Sequence, residues 1–202
     1  MNGMISKCNG LMGGSRSAHL SSFVFRLSSI LLFLATFSFA AQSSYDLMER
    51  ANALYRSGRF NQAIMLYRKA ESRGADPVAT SFNIANSYYQ DGKFAEAAAS
   101  YRKAVDYSNG NFSPALFNMA SVYFRLRQYP ECIAAYHRAL KLEPANVSGW
   151  LFLGEAYAKT GDAVGALRAV EKAYQLDKDD ISIVYQLSES NIALNDFDRA
   201  VA

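Results

Sequence analysis

His137 and Cys132 are the residues downstream of position 41 that offer a base and a nucleophile, and each is alone of its type there. Five residues apart on one helix, they stand about 140° apart around it at roughly 100° per residue, so they form no nucleophile–base pair. HExxH, CxxC, GxSxG and a phosphate-cradling glycine loop are all missing. Gly161 and Gly165 fit a turn and a helix face and match no nucleotide fingerprint, and Asp177-Lys178-Asp179-Asp180 reads as a solvated mixed-charge turn. No catalytic residue, metal ligand or cofactor site is therefore expected, and Cys132 reads as a buried structural thiol. The chemistry that remains is hydrogen bonding by side-chain amides. Asn52, Asn83, Asn86 and Asn118 each offer a donor and an acceptor, the pair of groups that holds the backbone of an extended peptide whatever its sequence.

The elements that must carry these amides repeat along the chain. In the stretch HRALKLEPANVSGWLFLGEAY, residues 137–157, Ala139 and Leu140 close an amphipathic helix and Pro144 cannot continue it. Trp150, Leu153, Gly154 and Tyr157 then share one face of a new helix. The same pattern of small residue, aromatic and alanine recurs as Ala63/Tyr67/Ala70, Ala97/Tyr101/Ala104, Cys132/Tyr136/Ala139 and Ala166/Val170/Ala173, and Ala200 opens a fifth copy. Every copy stands at one constant spacing from the last, except that a single extra position separates Ala97 from Cys132. A second set precedes it in each unit: Ala51/Leu54/Gly58/Phe60, Ala85/Tyr88/Gly92/Phe94, Ala120/Tyr123/Arg127/Tyr129 and Gly154/Tyr157/Gly161/Ala163.

A period of about 34 residues with these fillings resembles the tetratricopeptide repeat, signature W-x2-L-G-x2-Y…A-x3-F…P, over about 45–202. Cys132 for alanine, Arg127 for glycine and Val170 for an aromatic are its departures. The resemblance implies an all-α fold, a right-handed α-solenoid of stacked antiparallel helix hairpins with four complete repeats and a truncated fifth. The units fall at about 44–77, 78–111, 113–146, 147–180 and 181–202. Helices are expected near 45–57, 60–72, 78–90, 94–107, 114–126, 130–142, 147–160, 163–176 and 181–194, and Ser113 is expected to cap the fifth of them, ahead of Pro114.

In this family the first helix of each hairpin lines a concave groove for peptides. Counted from the motif, the groove positions are Met48, Asn52 and Tyr55 in unit one and Phe82, Asn83, Asn86 and Tyr89 in unit two. Unit three supplies Phe117, Asn118, Ser121 and Phe124, and unit four Leu151, Phe152, Glu155 and Ala158. The partner-binding set is read as Asn52, Tyr55, Phe82, Asn83, Asn86, Tyr89, Phe117, Asn118 and Phe124, with the aromatics adding apolar contact area. The competing reading of Phe82 and Phe117 is that they pack the solenoid. The chain looks unlike a chaperone-tail clamp, because Met48, Pro114 and Asn118 occupy columns where that subtype has cations.

Residues 1–44 hold no acidic residue, and Lys7, Arg16 and Arg26 precede an apolar run at 27–41. This pattern reads as a secretory signal peptide, 1–40, cleaved before Ala41, with an uncleaved anchor as the alternative; the run is shorter than the roughly 20 residues that span a bilayer. Residues 41–202 carry 18 basic and 18 acidic side chains, a balance that argues against electrostatic binding of nucleic acid. The expectation is an exported, periplasmic, non-catalytic adaptor for protein or peptide partners, with no small-molecule substrate and no membrane contact except through an uncleaved leader. Because no cap is written before Ala202, two alternatives stand beside it. One is the N-terminal module of a larger enzyme or signalling protein; the other is a structural protein that self-associates through its uncapped end.

Overall fold

The computed structural model describes residues 43–193. The leader at 1–40, the first residues of the repeat domain at 41–42, and Phe197 and Ala200 lie outside the described residues. Among the described residues there are nine helices and no strand: α1 at 43–56, α2 (Phe60–Glu71), α3 (Pro77–Gln90), α4 (Phe94–Tyr107), α5 (Ser113–Arg125), α6 (Tyr129–Leu142), α7 (Val147–Thr160), α8 (Ala163–Leu176) and α9 (Ile181–Ala193). Each of α2 to α9 packs mainly against the helices before and after it in sequence. That is the contact pattern of a solenoid, in which a hairpin buries its apolar face only by stacking on its neighbours.

Small residues set the helix spacing. Ala51, Ala85 and Ala120 on the first helices, and Ala63, Ala97, Cys132, Ala70, Ala104, Ala139 and Ala173 on the second helices, are all fully buried. A small side chain at each crossing lets two helix backbones approach closely, and larger side chains fill the spaces between. Tyr67, Tyr101, Leu116, Val122 and Leu153 are the bulk of that filling, where a buried Leu or Val contributes about 1.5–3 kcal/mol. The main core runs without a break from Ala85 to Ala169, across three hairpins.

The turns within hairpins share one geometry. The amides of Arg59, Lys93, Gln128 and Asp162 donate to the carbonyls of Leu54, Tyr88, Tyr123 and Tyr157 at 2.9–3.0 Å. The residue before each donor is left-handed: Gly58 (φ 75), Gly92 (φ 74), Arg127 (φ 58) and Gly161 (φ 79). This is the Schellman closure, which satisfies carbonyls the helix cannot. Arg127 holds the left-handed conformation without being glycine, so the departure from the motif changes the residue and leaves the turn intact.

Joins between hairpins use different chemistry. Asp76 accepts from the amides of Val78 and Ala79 ahead of Pro77, and Asn146 accepts from Gly149 at 2.8 Å. In the join from α4 to α5, Asn109 (φ 53) and Gly110 (φ 80) are consecutive left-handed residues, and the extra position in the repeat falls there. Ser113 differs from its expected role: the residue preceding α5 is Phe112, and Ser113 lies inside the helix. Its hydroxyl donates to the carboxylate of Glu143 instead, tying α5 to the join between α6 and α7. That bond, with a second from the Asn146 amide, holds the Glu143 carboxyl below the usual range.

Candidate functional site: a polar-floored groove

In each of the first three hairpins a tyrosine of the second helix reaches back to the first. Tyr67 donates to Oδ1 of Asn52 at 2.6 Å and Tyr101 donates to Oδ1 of Asn86 at 2.5 Å. Tyr136 meets Ser121 at 3.3 Å. Burial pushes Tyr67 and Tyr136 up to about 12 and raises Tyr101 as well, so these hydroxyls stay protonated and able to donate. The result is a row of polar contacts along one face, with the rings below it in the core.

The asparagines therefore divide by role. Asn52 gives its carbonyl to Tyr67 and its amide to Glu49. Asn118 donates at 3.4 Å to both Asn86 Oδ1 and the Tyr101 hydroxyl, which links units two and three. Asn83 is half-buried on the same helix as Asn86 and makes no side-chain hydrogen bond with another described residue. The groups left for a partner are thus both ends of Asn83, the amide of Asn86 and the carbonyl of Asn118.

The aromatics form a second row. Tyr55 meets Phe60, Tyr89 meets Phe94 and Phe124 meets Tyr129, each edge-to-face at 5.6–5.7 Å across the turn of its hairpin. Phe82 packs on Tyr101 and Phe112, and Phe117 on Tyr136; both rings are half-buried against the core. Of the residues read from the sequence as partner-binding, Phe124 lines a cavity of about 720 Å³, which it shares with Ser121, Arg125, Tyr136, Phe152, Glu155 and Lys159, among others. Tyr89 joins it indirectly, since Arg125 lies over its ring at 5.3 Å and donates to its hydroxyl at 2.9 Å.

Arg125 and the floor tyrosines are functional candidates that motif counting missed. The available signal for the floor was a tyrosine at one fixed distance after a polar groove position, as Asn52/Tyr67, Asn86/Tyr101 and Ser121/Tyr136 in successive units. Arg125 stands in a column that is basic in three of four units, as Arg56, Arg125 and Lys159 with Gln90 between them, and that repetition was its signal.

The two reactive side chains are accounted for. Cys132 is fully buried, and burial together with the carboxylate of Glu155 pushes its thiol up to about 12. His137 hydrogen-bonds the Tyr157 hydroxyl at 2.6 Å. Arg68 and Arg102 make the equivalent bonds to Tyr88 and Tyr123 at 2.9 and 2.6 Å. His137 thus fills a column that joins each of the first three hairpins to the next. Among the described residues no His, Cys, Asp and Glu cluster could hold a metal ion, and no helix is long and apolar enough to cross a membrane.

Comparison with known proteins agrees with this architecture. Solved structures with the same fold include the MamA protein, at 22% identity over 79% of this chain and 87% of that one, with a TM-score of 0.72. Another is YrrB, described as a TPR protein with an unusual peptide-binding site, at 18% identity, 82% and 87% coverage and a TM-score of 0.68. A third is a tetratricopeptide repeat protein from Parabacteroides merdae, at 20% identity, 79% and 63% coverage and a TM-score of 0.71. No curated relative matches the sequence. A tetratricopeptide repeat family model matches residues 48–114 and 117–181, well over half of the chain, and the chain belongs to that family.

Proposed function

We propose that this protein is an exported, non-catalytic adaptor whose groove holds extended segments of cell-envelope proteins. The fold is that of a protein–protein interaction scaffold. The observation that carries the finer reading is the half-buried Asn83 amide, unpartnered among the described residues and beside the Asn86–Tyr101–Asn118 network. Such a group is held ready for a hydrogen bond from outside, and a peptide backbone supplies both complements. A photo-crosslinking residue at position 83 tests it directly. Crosslinks to envelope proteins from position 83, and none from Lys103 on the exposed side of α4, are the expected result. Equal yields from both positions overturn the groove, and crosslinks confined to cytoplasmic proteins overturn the envelope.

Export rests on the basic leader and its apolar run. N-terminal sequencing of the native protein is expected to begin at Ala41; a chain beginning at Met1 and recovered from the cytosol removes the proposal.

Self-association is a second reading, favoured by α9. Ile181, Val184, Tyr185 and Ile192 are exposed on it, Ile181 at 83%. Light scattering over a concentration series decides between them, because a monomer at the highest concentration rules self-association out.

A further inference from the structure

The groove changes character at unit four. A second cavity, of about 530 Å³, lies between α7, α8 and α9, one period along from the one beside Phe124. Phe124, Tyr129 and Tyr136 become Ala158, Ala163 and Val170 at the corresponding positions. Two rings that meet across the turn are thus replaced by two methyls, and the floor tyrosine by a valine. The space reaches down to Gly154 and Ala166 on the helix backbones.

Its polar groups change as well. The position of Asn52, Asn86 and Ser121 is Glu155 in unit four and Glu189 in unit five, and both carboxylates line this cavity. Val170 has no hydroxyl to donate, so Glu155 lacks the partner that each earlier unit provides. Lys159, one turn further along α7, forms no ion pair with it among the described residues. Glu189 has the Tyr185 hydroxyl beside it. The cavity is therefore lined by small apolar side chains from α7 and α8, by Gln186 and Ser190 from α9, and by the two carboxylates.

We infer that this cavity is a specificity subsite for a basic residue, arginine or lysine, of the segment held in the groove. The alkyl stem lies against Ala158, Ala163 and Val170, and the charged head sits between Glu155 and Glu189. A long basic side chain is the one that combines an apolar stem with a cationic head. The acidic pair disfavours an acidic residue by like-charge repulsion. This deepens the groove proposal and rests on it.

The test uses the full chain and labelled peptides of one alanine–serine sequence that differ only at the central residue: arginine, norleucine, glutamate or tryptophan. Fluorescence anisotropy is expected to show the arginine peptide binding about tenfold tighter than the norleucine peptide, a preference that shrinks as salt rises. Glu155→Gln with Glu189→Gln is expected to erase the preference, so that the arginine and norleucine peptides bind alike. Ala158→Phe, which rebuilds the wall of unit three, is expected to weaken the arginine peptide selectively; circular dichroism confirms the variants are folded. Tighter binding of norleucine or tryptophan overturns the assignment, as does a preference for arginine that survives loss of both carboxylates. Equal binding of all peptides overturns the subsite and leaves the groove standing, whereas no binding of any overturns both.

Discussion

The hydroxyl of Tyr101 donates to Oδ1 of Asn86 over 2.5 Å, so the floor of the groove and the core of its hairpin are built from one side chain. The ring lies among buried alanines while its oxygen meets the amide row. A change at this position therefore alters the core and the polar row together.

Tyr101→Phe keeps the ring and removes the donor. The Asn86 carbonyl loses its short bond in a half-buried site and keeps the 3.4 Å one from Asn118, at a cost of about 1 kcal/mol. Urea unfolding should show a lower midpoint at unchanged slope. Tyr136→Phe should cost less, since its contact with Ser121 is longer, at 3.3 Å. Equal losses from both variants would show that the Asn86 bond contributes nothing specific.

Stability should fall in alkali. Burial raises Tyr67 and Tyr136 from 10.0 to about 12 and Cys132 from 9.0 to about 12. A folded-state value above the unfolded one means that the unfolded chain gives up its protons first. The contribution of these groups is complete below about pH 9, and it is lost progressively as pH rises toward 12. Thermal melting between pH 8 and 11.5 should show a falling midpoint above pH 9. A flat profile would contradict the burial of these hydroxyls.

Arg127 is in the left-handed region at φ 58, where its sister turns have glycine. Arg127→Gly relieves that conformation and should stabilise the protein by about 0.5–1 kcal/mol. The reverse change, Gly92→Ala at φ 74, finds open space around its new methyl and still should cost about 1 kcal/mol, from backbone conformation alone. Differential scanning calorimetry on both variants checks the two signs together.

The Cys132 thiol should be inert. A fully buried thiol held near 12 has almost no thiolate at pH 8, and the thiolate is the reactive form. Iodoacetamide should label native protein far more slowly than protein in urea, with mass spectrometry reading the adduct. Comparable rates would mean the core opens around α6 on the labelling timescale.

Helices and their order are legible in the sequence because each hairpin writes its own local signals. The period of small and aromatic residues, the glycines at 58, 92 and 161 and the prolines at 77, 114, 130 and 144 mark starts and stops without reference to the rest of the fold. The helix bounds expected for unit four, 147–160 and 163–176, are those observed. Ser113 escapes such a reading because serine before proline is a strong local capping signal, whereas the pull of Glu143 comes from a different hairpin join.

What the sequence determined by itself is the repeat: a unit of one length, with a single extra position in the join from α4 to α5, a polar position on each first helix and a small-residue seam to pack it. Which groove groups remain available was decided by tertiary structure alone. Asn52, Asn83, Asn86 and Asn118 look alike in the sequence, and only packing shows that tyrosine hydroxyls from the second helices engage Asn52 and Asn86 while Asn83 keeps its amide. The cavity at unit four likewise needs Ala158, Ala163, Val170 and two carboxylates one repeat apart to converge. The physical reason is range: helix formation and turns are set by neighbours within a few residues, whereas satisfied hydrogen bonds and empty volume depend on which side chains the stacked hairpins bring face to face.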